Sequence, residues 1–229
     1  NHISNKLDDL SVFVRMHSPS VICLTESWLN NTIPDCAVNI QNYNLTRKDR
    51  PSTGGCVLMY IADNLKFRRL AEFENDQCEL MWVAVRPTVL PRPLSILLFA
   101  VVDCPPAYNA EQKCSLSKFI LTSTDQLLKK YPNAGLFITG DFNTLDTTLF
   151  NRHLGLTQIV EIPTRQKNIL DKIFTNIKDK MTTPLILMPI GNSDHATVIV
   201  RPKEQTCFER AKQRLVHTRR LTAHSCLEI

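Results

Sequence analysis

The sequence predicts a layered α/β or α+β sandwich. Three observations carry that expectation. Apolar runs of strand length outnumber amphipathic helical segments, helices interrupt the strands irregularly, and no internal repeat or low-complexity segment occurs. A chain of 229 residues fits one large domain, or one domain with a tail.

The elements follow in chain order. Leu7, Leu10, Phe13 and Val14 share one face of a helix over 6–16, which Ser18-Pro19-Ser20 ends. Val21 to Thr25 reads as a buried strand ending at Glu26. Gly54-Gly55 opens a strand over Cys56 to Ile61. Glu79 to Arg86 and Leu94 to Val102 read as a strand pair joined by a Pro-rich connection. Leu116, Phe119, Ile120, Leu127, Leu128 and Tyr131 mark an amphipathic helix that Pro132-Asn133 terminates. Gly135 to Thr139 is a strand, and Thr144 to Leu154 is helical. Ile169 to Phe174 is a short strand with Asp171 in its middle. Leu185 to Ile190 and Ala196 to Val200 close the set.

Composition narrows the class. The hydrophobic fraction of 43% is ordinary for a folded globular protein. No run reaches the ~18 apolar residues that cross a membrane, and no basic-then-apolar leader opens the chain. Eight cysteines are scattered without a C-x-x-C pair, so zinc spacing is absent. Reduced thiols in a nuclear or cytoplasmic protein are expected; a secreted protein with a few disulfides is the alternative. Residues 201–220 hold seven Lys/Arg and two acids, which equals the whole formal excess of +5. Residues 1–200 therefore form the expected domain, and 201–229 a basic tail. The tail is either a solvated linker or a phosphate-contacting arm.

Four polar features sit where apolar strands stop or are interrupted: Glu26, Asp141 with Asn143, Asp171, and Asp194 with His195. A carboxylate near a buried strand end is costly unless paired or bound to a cation. Asp141 and Asn143 alone would read as turn formers. Four such features are harder to treat as independent caps. Carboxylates gathered at one mouth suit Mg²⁺, which takes oxygen ligands and keeps waters and phosphate oxygens. An Asp beside it takes a proton from water, and an Asn or His stabilises developing charge. Those groups suffice for metal-assisted phosphodiester hydrolysis.

"LTESWL" (Leu24 to Leu29), "GDFN" (Gly140 to Asn143), "ILDKIFTN" (Ile169 to Asn176) and "NSDHATV" (Asn192 to Val198) occur in that order. Together they resemble the endonuclease/exonuclease/phosphatase superfamily. The nearest resemblance is to the apurinic-type endonuclease domain of non-LTR, LINE-like retrotransposons of the CR1/jockey-like group, over residues 1–200. It implies a two-sheet α/β sandwich with the site at one edge, and Mg²⁺ as cofactor. By the same resemblance Glu26 is the main metal ligand, Asp141 orients or deprotonates the attacking water, and Asn143 is its transition-state partner. Asp171 pairs with the catalytic His195, and Asp194 is a second acidic ligand or water-orienting group. Thr164 and Ser193 fall at polar positions near the scissile phosphate, or are a loop residue and a cap. The implied partner is DNA, nicked by a monomeric domain joined through 201–229 to a reverse transcriptase, with the 3′-hydroxyl serving as primer.

Two departures from the family pattern stand out. The family begins with a strand central to one sheet; here the alignment of Asn5-Lys6-Leu7 leaves that first strand out. The family also places a Tyr ahead of its Pro-Pro, where this chain has Asp103 before Cys104-Pro105-Pro106. An ionised carboxylate there repels phosphate and donates no hydrogen bond, so impaired catalysis is expected, relieved by Tyr. An extra metal ligand is the other reading of Asp103. Two further functions stay open: a phosphoesterase acting on phospholipids or inositol phosphates, and a decayed copy that binds DNA without cutting it. Target choice is expected to rest on loops 42–52 and 158–167, with Arg47, Lys48, Arg50, Arg165 and Lys167 either contacting phosphates or solvated.

Overall fold

The computed structural model describes residues 3–49 and 55–203. The tail expected over 201–229 therefore lies almost wholly outside the described residues, as does Arg50. A 3₁₀ turn at Ile3–Lys6 leads into α1 (Leu7–His17), and Ser18 ends that helix in the left-handed region. The first strands are β1 (Val21–Leu24), β2 (Tyr43–Lys48), β3 (Val57–Ala62) and β4 (Lys66–Arg69). β5 (Leu80–Arg86) and β6 (Ile96–Asp103) precede α2 (Ala110–Lys130), β7 (Ala134–Asp141) and α3 (Thr148–Leu154). β8 (Thr157–Gln158), β9 (Asp171–Thr175), β10 (Leu185–Leu187) and β11 (Thr197–Ile199) complete the set. None of the described helices is long and apolar enough to cross a membrane.

The strands form a six-stranded sheet in the order β4-β5-β6-β7-β9-β8, a three-stranded sheet β1-β3-β2, and a β10-β11 hairpin. β6 and β7 are parallel; their neighbours are antiparallel. Even-numbered residues of β5, β6 and β7, including Trp82, Leu98, Leu136 and Ile138, pack on Leu116, Ile120 and Leu127 of α2. Odd-numbered residues of β5 and β6 face the other way, so Met81, Val83 and Val101 meet Val57, Met59 and Ile61 of β3. Both faces of these strands are thus covered, which is why their sequences read as near-continuous apolar runs. The outer face of β3 carries Leu58 and Tyr60 against Leu10 and Val14 of α1. The chain is an α/β/β/α sandwich, and its second β layer is divided between the three-stranded sheet and the hairpin.

Several expectations change in detail. α2 begins six residues before Leu116, because Asn109 and Gln112 form a reciprocal capping box. Asp171 opens β9 rather than sitting mid-strand. Residues 42–52 are not one loop, because Tyr43–Lys48 pairs with β3. Arg47 ion-pairs with Asp35 at 3.0 Å and Asp49 at 3.4 Å. Lys48 Nζ donates to the carbonyls of Asn75, Cys78 and Leu80. Both side chains close the fold rather than reach outward. The six described cysteines are free thiols.

Candidate active site

The site grows from strand register. β6 pairs with β7 so that Asp103 faces Asp141, and β7 pairs with β9 so that Asp141 faces Asp171. Glu79, one residue before β5, accepts the Asp103 N–H at 2.9 Å. Glu79, Asp103, Asp141 and Asp171 therefore form one row across four adjacent chains, with neighbours ~4.8 Å apart in backbone spacing. Period-2 alternation turns the row toward the second β layer, where Glu26 follows the end of β1 by two residues.

Local backbone geometry fixes the row's centre. Gly140 has φ +137°, and a Cβ on it would lie 1.9 Å from the Val102 carbonyl oxygen. Only glycine lets β7 approach β6 this closely just before Asp141. The Asn143 N–H donates to Asp141 Oδ1 at 2.9 Å, and the Asn143 amide donates to the Cys104 carbonyl at 2.9 Å. The turn reading of "GDFN" is thus correct as backbone geometry, and the turn delivers the carboxylate.

His195 joins from the loop before β11. Its Nδ1 lies 2.8 Å from Asp171 Oδ2, and its Nε2 lies 4.0 Å from Asp141 Oδ2. The Asp171 hydrogen bond raises the His195 pKa above its usual value, against desolvation, with Asp171, Asp141 and Asp194 charges adding to the rise. Asp141 is 4% exposed. Burial pushes its carboxyl up to about 6; the Asn143 N–H opposes that, Asp171 adds to it, His195 opposes it, and Glu26 adds to it.

Asp103 differs from its sequence expectation. It is 1% exposed, and burial, reinforced by Glu79, Asp141 and Glu26 and by a hydrogen bond with Glu79, pushes it up to about 9. Such a shift favours the uncharged acid, which repels phosphate less than an ionised carboxylate would. A protonated carboxyl donates. Glu79 was not singled out from sequence, although it heads the apolar run Leu80 to Val85 as the other site acids sit at strand ends. It is 6% exposed, and its Oε2 accepts the Cys56 N–H at 2.9 Å.

The remaining predicted residues divide. Glu26 is exposed, in the left-handed region at φ +50°, at the mouth of the site. Asp194 is exposed and ion-pairs with Arg165, so both side chains have a partner within the protein. Ser193 Oγ accepts the His195 N–H at 3.3 Å, as a cap does. Thr164 is 2% exposed; its hydroxyl accepts the N–H groups of Leu170 at 3.2 Å and Asp171 at 3.0 Å. Its carbonyl accepts the Ala196 N–H at 2.7 Å, which ties the Asp171 and His195 segments together. Lys167 is exposed.

Among the described residues no three His, Cys, Asp or Glu side chains converge as a ready-made metal cage. The acidic groups there, Glu26, Asp141 and Asp171, nevertheless offer carboxylate oxygens beside His195. That set fits Mg²⁺, which binds through one or two carboxylates and completes its shell with water and substrate phosphate.

No protein-family model and no curated protein sequence matches the chain. Solved structures do. The endonuclease domain of TRAS1, a telomere-specific non-LTR retrotransposon, superposes with a TM-score of 0.62 at 12% identity, over 87% of this chain and 93% of that one. The 3′ phosphatase NExo from Neisseria, bound to a product DNA hairpin, gives 0.63 at 14% identity, over 89% and 96%. The fold is that of the endonuclease/exonuclease/phosphatase superfamily. The Xenopus laevis APE2 catalytic domain gives 0.61 at 14% identity, over 88% and 91%. At these identities the likeness fixes the endonuclease/exonuclease/phosphatase fold; chemistry is argued from the residues.

Proposed function

We propose that this chain is a Mg²⁺-dependent phosphodiesterase that nicks a DNA strand and leaves a 3′-hydroxyl able to prime reverse transcription. One observation supports the chemistry above the rest. Asp171 holds His195 through Nδ1, which leaves Nε2 directed toward Asp141 at 4.0 Å. An acid–histidine pair facing a second carboxyl, raised to about 6, is a proton-handling device. The likeness to the TRAS1 domain supports the priming role and the link to a reverse transcriptase, and the DNA-bound NExo supports the substrate.

The chain's own residues divide the work. Asp141 orients water and takes its proton, because a carboxyl near 6 is mostly ionised at neutral pH yet basic enough to accept. His195, whose protonated form the Asp171 hydrogen bond favours, stabilises negative charge on the phosphate oxygens. Asn143 fixes the Asp141 carboxylate through its backbone N–H. Glu26 would hold the Mg²⁺, with Asp194 able to contribute only if it leaves Arg165. Bound there, the ion would supply charge neutralisation of the scissile phosphate.

Nicking of supercoiled plasmid in Mg²⁺ tests the reading. The chain should convert plasmid to open circle, and Asp141→Ala and His195→Ala should abolish that. Conversion that persists unchanged in both variants overturns it. DNA binding without cleavage, unaffected by either variant, would favour the binding-module alternative. Hydrolysis of inositol phosphates but not of plasmid would point to the other phosphoesterase.

A further inference from the structure

Glu26 stands apart from the other site acids. Asp103, Asp141 and Asp171 sit on strands of the large sheet, whose ladders fix them. Glu26 lies past the end of β1, where the pairing with β3 stops at Leu24 and Leu58. It is exposed and in the left-handed region at φ +50°. Its place is therefore set by how the backbone is held beyond the ladder.

Two bonds hold that backbone. The Ser27 N–H donates to the Cys56 carbonyl at 3.2 Å, and the Trp28 N–H donates to the Gly55 carbonyl at 3.1 Å. Both acceptors belong to a strained turn, with Gly55 at φ +78° and Cys56 at φ +76°. Cys56 carries a Cβ, so that conformation persists only where its surroundings impose it. Glu79 imposes it. Its Oε2 accepts the Cys56 N–H at 2.9 Å, and a Cβ on Gly55 would lie 2.3 Å from the same oxygen. The carboxylate is thus seated on the backbone of both residues. Glu79 is in turn anchored to the acid row, because its carbonyl accepts the Asp103 N–H at 2.9 Å. A carboxylate only 6% exposed is costly without such partners.

We infer, on the reading of Glu26 as the Mg²⁺ ligand, that Glu79 is a positioning residue for it. Glu79 pins the Gly55–Cys56 turn, the two carbonyls of that turn pin Ser27 and Trp28, and Glu26 is thereby held at the mouth beside the acid row. Partners that orient a ligand from behind govern metal affinity, and their loss weakens it by about 10–100-fold.

Mn²⁺ binding to the full chain, read by electron paramagnetic resonance of the free ion, tests this without DNA or turnover. Glu79→Met removes the acceptor and should weaken Mn²⁺ binding by about tenfold or more. Glu79→Gln removes the charge but keeps an oxygen for the Cys56 N–H, and should recover most of that loss. Gly55→Ala leaves Glu79 in place and drives a Cβ against its carboxylate. It should weaken binding as Glu79→Met does, and it carries the test if Glu79→Met does not fold. Amide hydrogen exchange is the second readout. Glu79→Met should speed exchange at Ser27 and Trp28 by about tenfold, with residues 98–102 of β6 protected as in the parent. Unchanged Mn²⁺ affinity in folded Glu79→Met or Gly55→Ala overturns the inference. So does an equal loss in Glu79→Gln, which would make the effect one of charge. Exchange that accelerates uniformly through β6 also overturns it, because Glu79 would then serve stability alone. A parent chain that binds no Mn²⁺ overturns the metal reading of Glu26 and this inference with it; a parent that binds Mn²⁺ no better than its variants overturns this inference alone.

Discussion

Asp103 and Asp141 stand side by side on the parallel strands β6 and β7, yet the fold gives them different charge states. Burial next to Glu79 pushes Asp103 up to about 9, while Asp141, which accepts the Asn143 N–H, is pushed only to about 6. Near neutral pH the fold thus biases Asp103 toward its protonated form and Asp141 toward its ionised form. Adjacent carboxyls forced apart in this way divide into donor and acceptor.

The Asp103 proton has a stability signature. The folded chain holds it up to about pH 9, whereas the unfolded chain releases it near ~4. Its contribution is therefore full below ~4 and is lost as pH rises toward 9. Asp103→Asn keeps a neutral side chain at every pH. Thermal melts should show the variant gaining steadily on the parent as pH rises from 6 toward 9, by up to ~1.4 kcal/mol per pH unit. Parallel pH curves for the two proteins would contradict a neutral Asp103.

Nicking should rise with pH as Asp141 loses its proton around 6, and fall at higher pH as His195 loses the proton that Asp171 helps it keep. Asp171→Asn removes the leading cause of the raised His195 pKa. The alkaline limb should then move to lower pH, and the rate should drop by ~10²-fold or more. Proton NMR titration of His195 checks the shift without reference to activity.

Gly140→Ala should be far more damaging than Gly155→Ala. The first places a Cβ 1.9 Å from the Val102 carbonyl, within the β6–β7 pair. The second has φ +62° and nothing within 4 Å, so it suffers only backbone strain. Urea unfolding should show a loss of ~1 kcal/mol for Gly155→Ala, and several times that, or no folded protein, for Gly140→Ala.

Thr164→Val leaves the Leu170 and Asp171 N–H groups without their shared acceptor. The stability loss should be ~1–3 kcal/mol. Because those amides set the start of β9, the His195–Asp171 bond should loosen with them. Thr164→Ser, which restores the hydroxyl, should recover both stability and rate.

Lys48→Met should lower stability without selectively weakening DNA binding. Lys48 Nζ is bound to three backbone carbonyls, and burial lowers its pKa. A salt-titrated binding curve separates the outcomes, since loss of a phosphate contact reduces the salt slope by about one.

Most strands were legible because their residues are apolar on consecutive or alternating positions: β1, β3, β5, β6, β7, β9 and both hairpin strands. β2 and β4 were not, because "YNLTRK" and "KFRR" carry polar residues that the fold occupies with ion pairs and backbone carbonyls. Glu26, Asp141, Asn143, Asp171 and His195 stood out as polar groups where apolar runs stop, and the fold brings them to one region. Glu79 obeyed the same rule and was passed over. Thr164 and Ser193 could be read either as positions near the phosphate or as a loop residue and a cap; their hydroxyls accept backbone N–H groups.

By itself the sequence determined most of the apolar strands and most of the polar residues that end them, because period and punctuation are local properties. Tertiary structure decided the rest. It inserted β9 between β7 and β8, which puts Asp171 beside Asp141. It closed Asp194 onto Arg165 and, by burial, pushed the Asp103 carboxyl up. Each of these depends on which distant backbone supplies the partner and how much water it displaces, and no local pattern of residues encodes either.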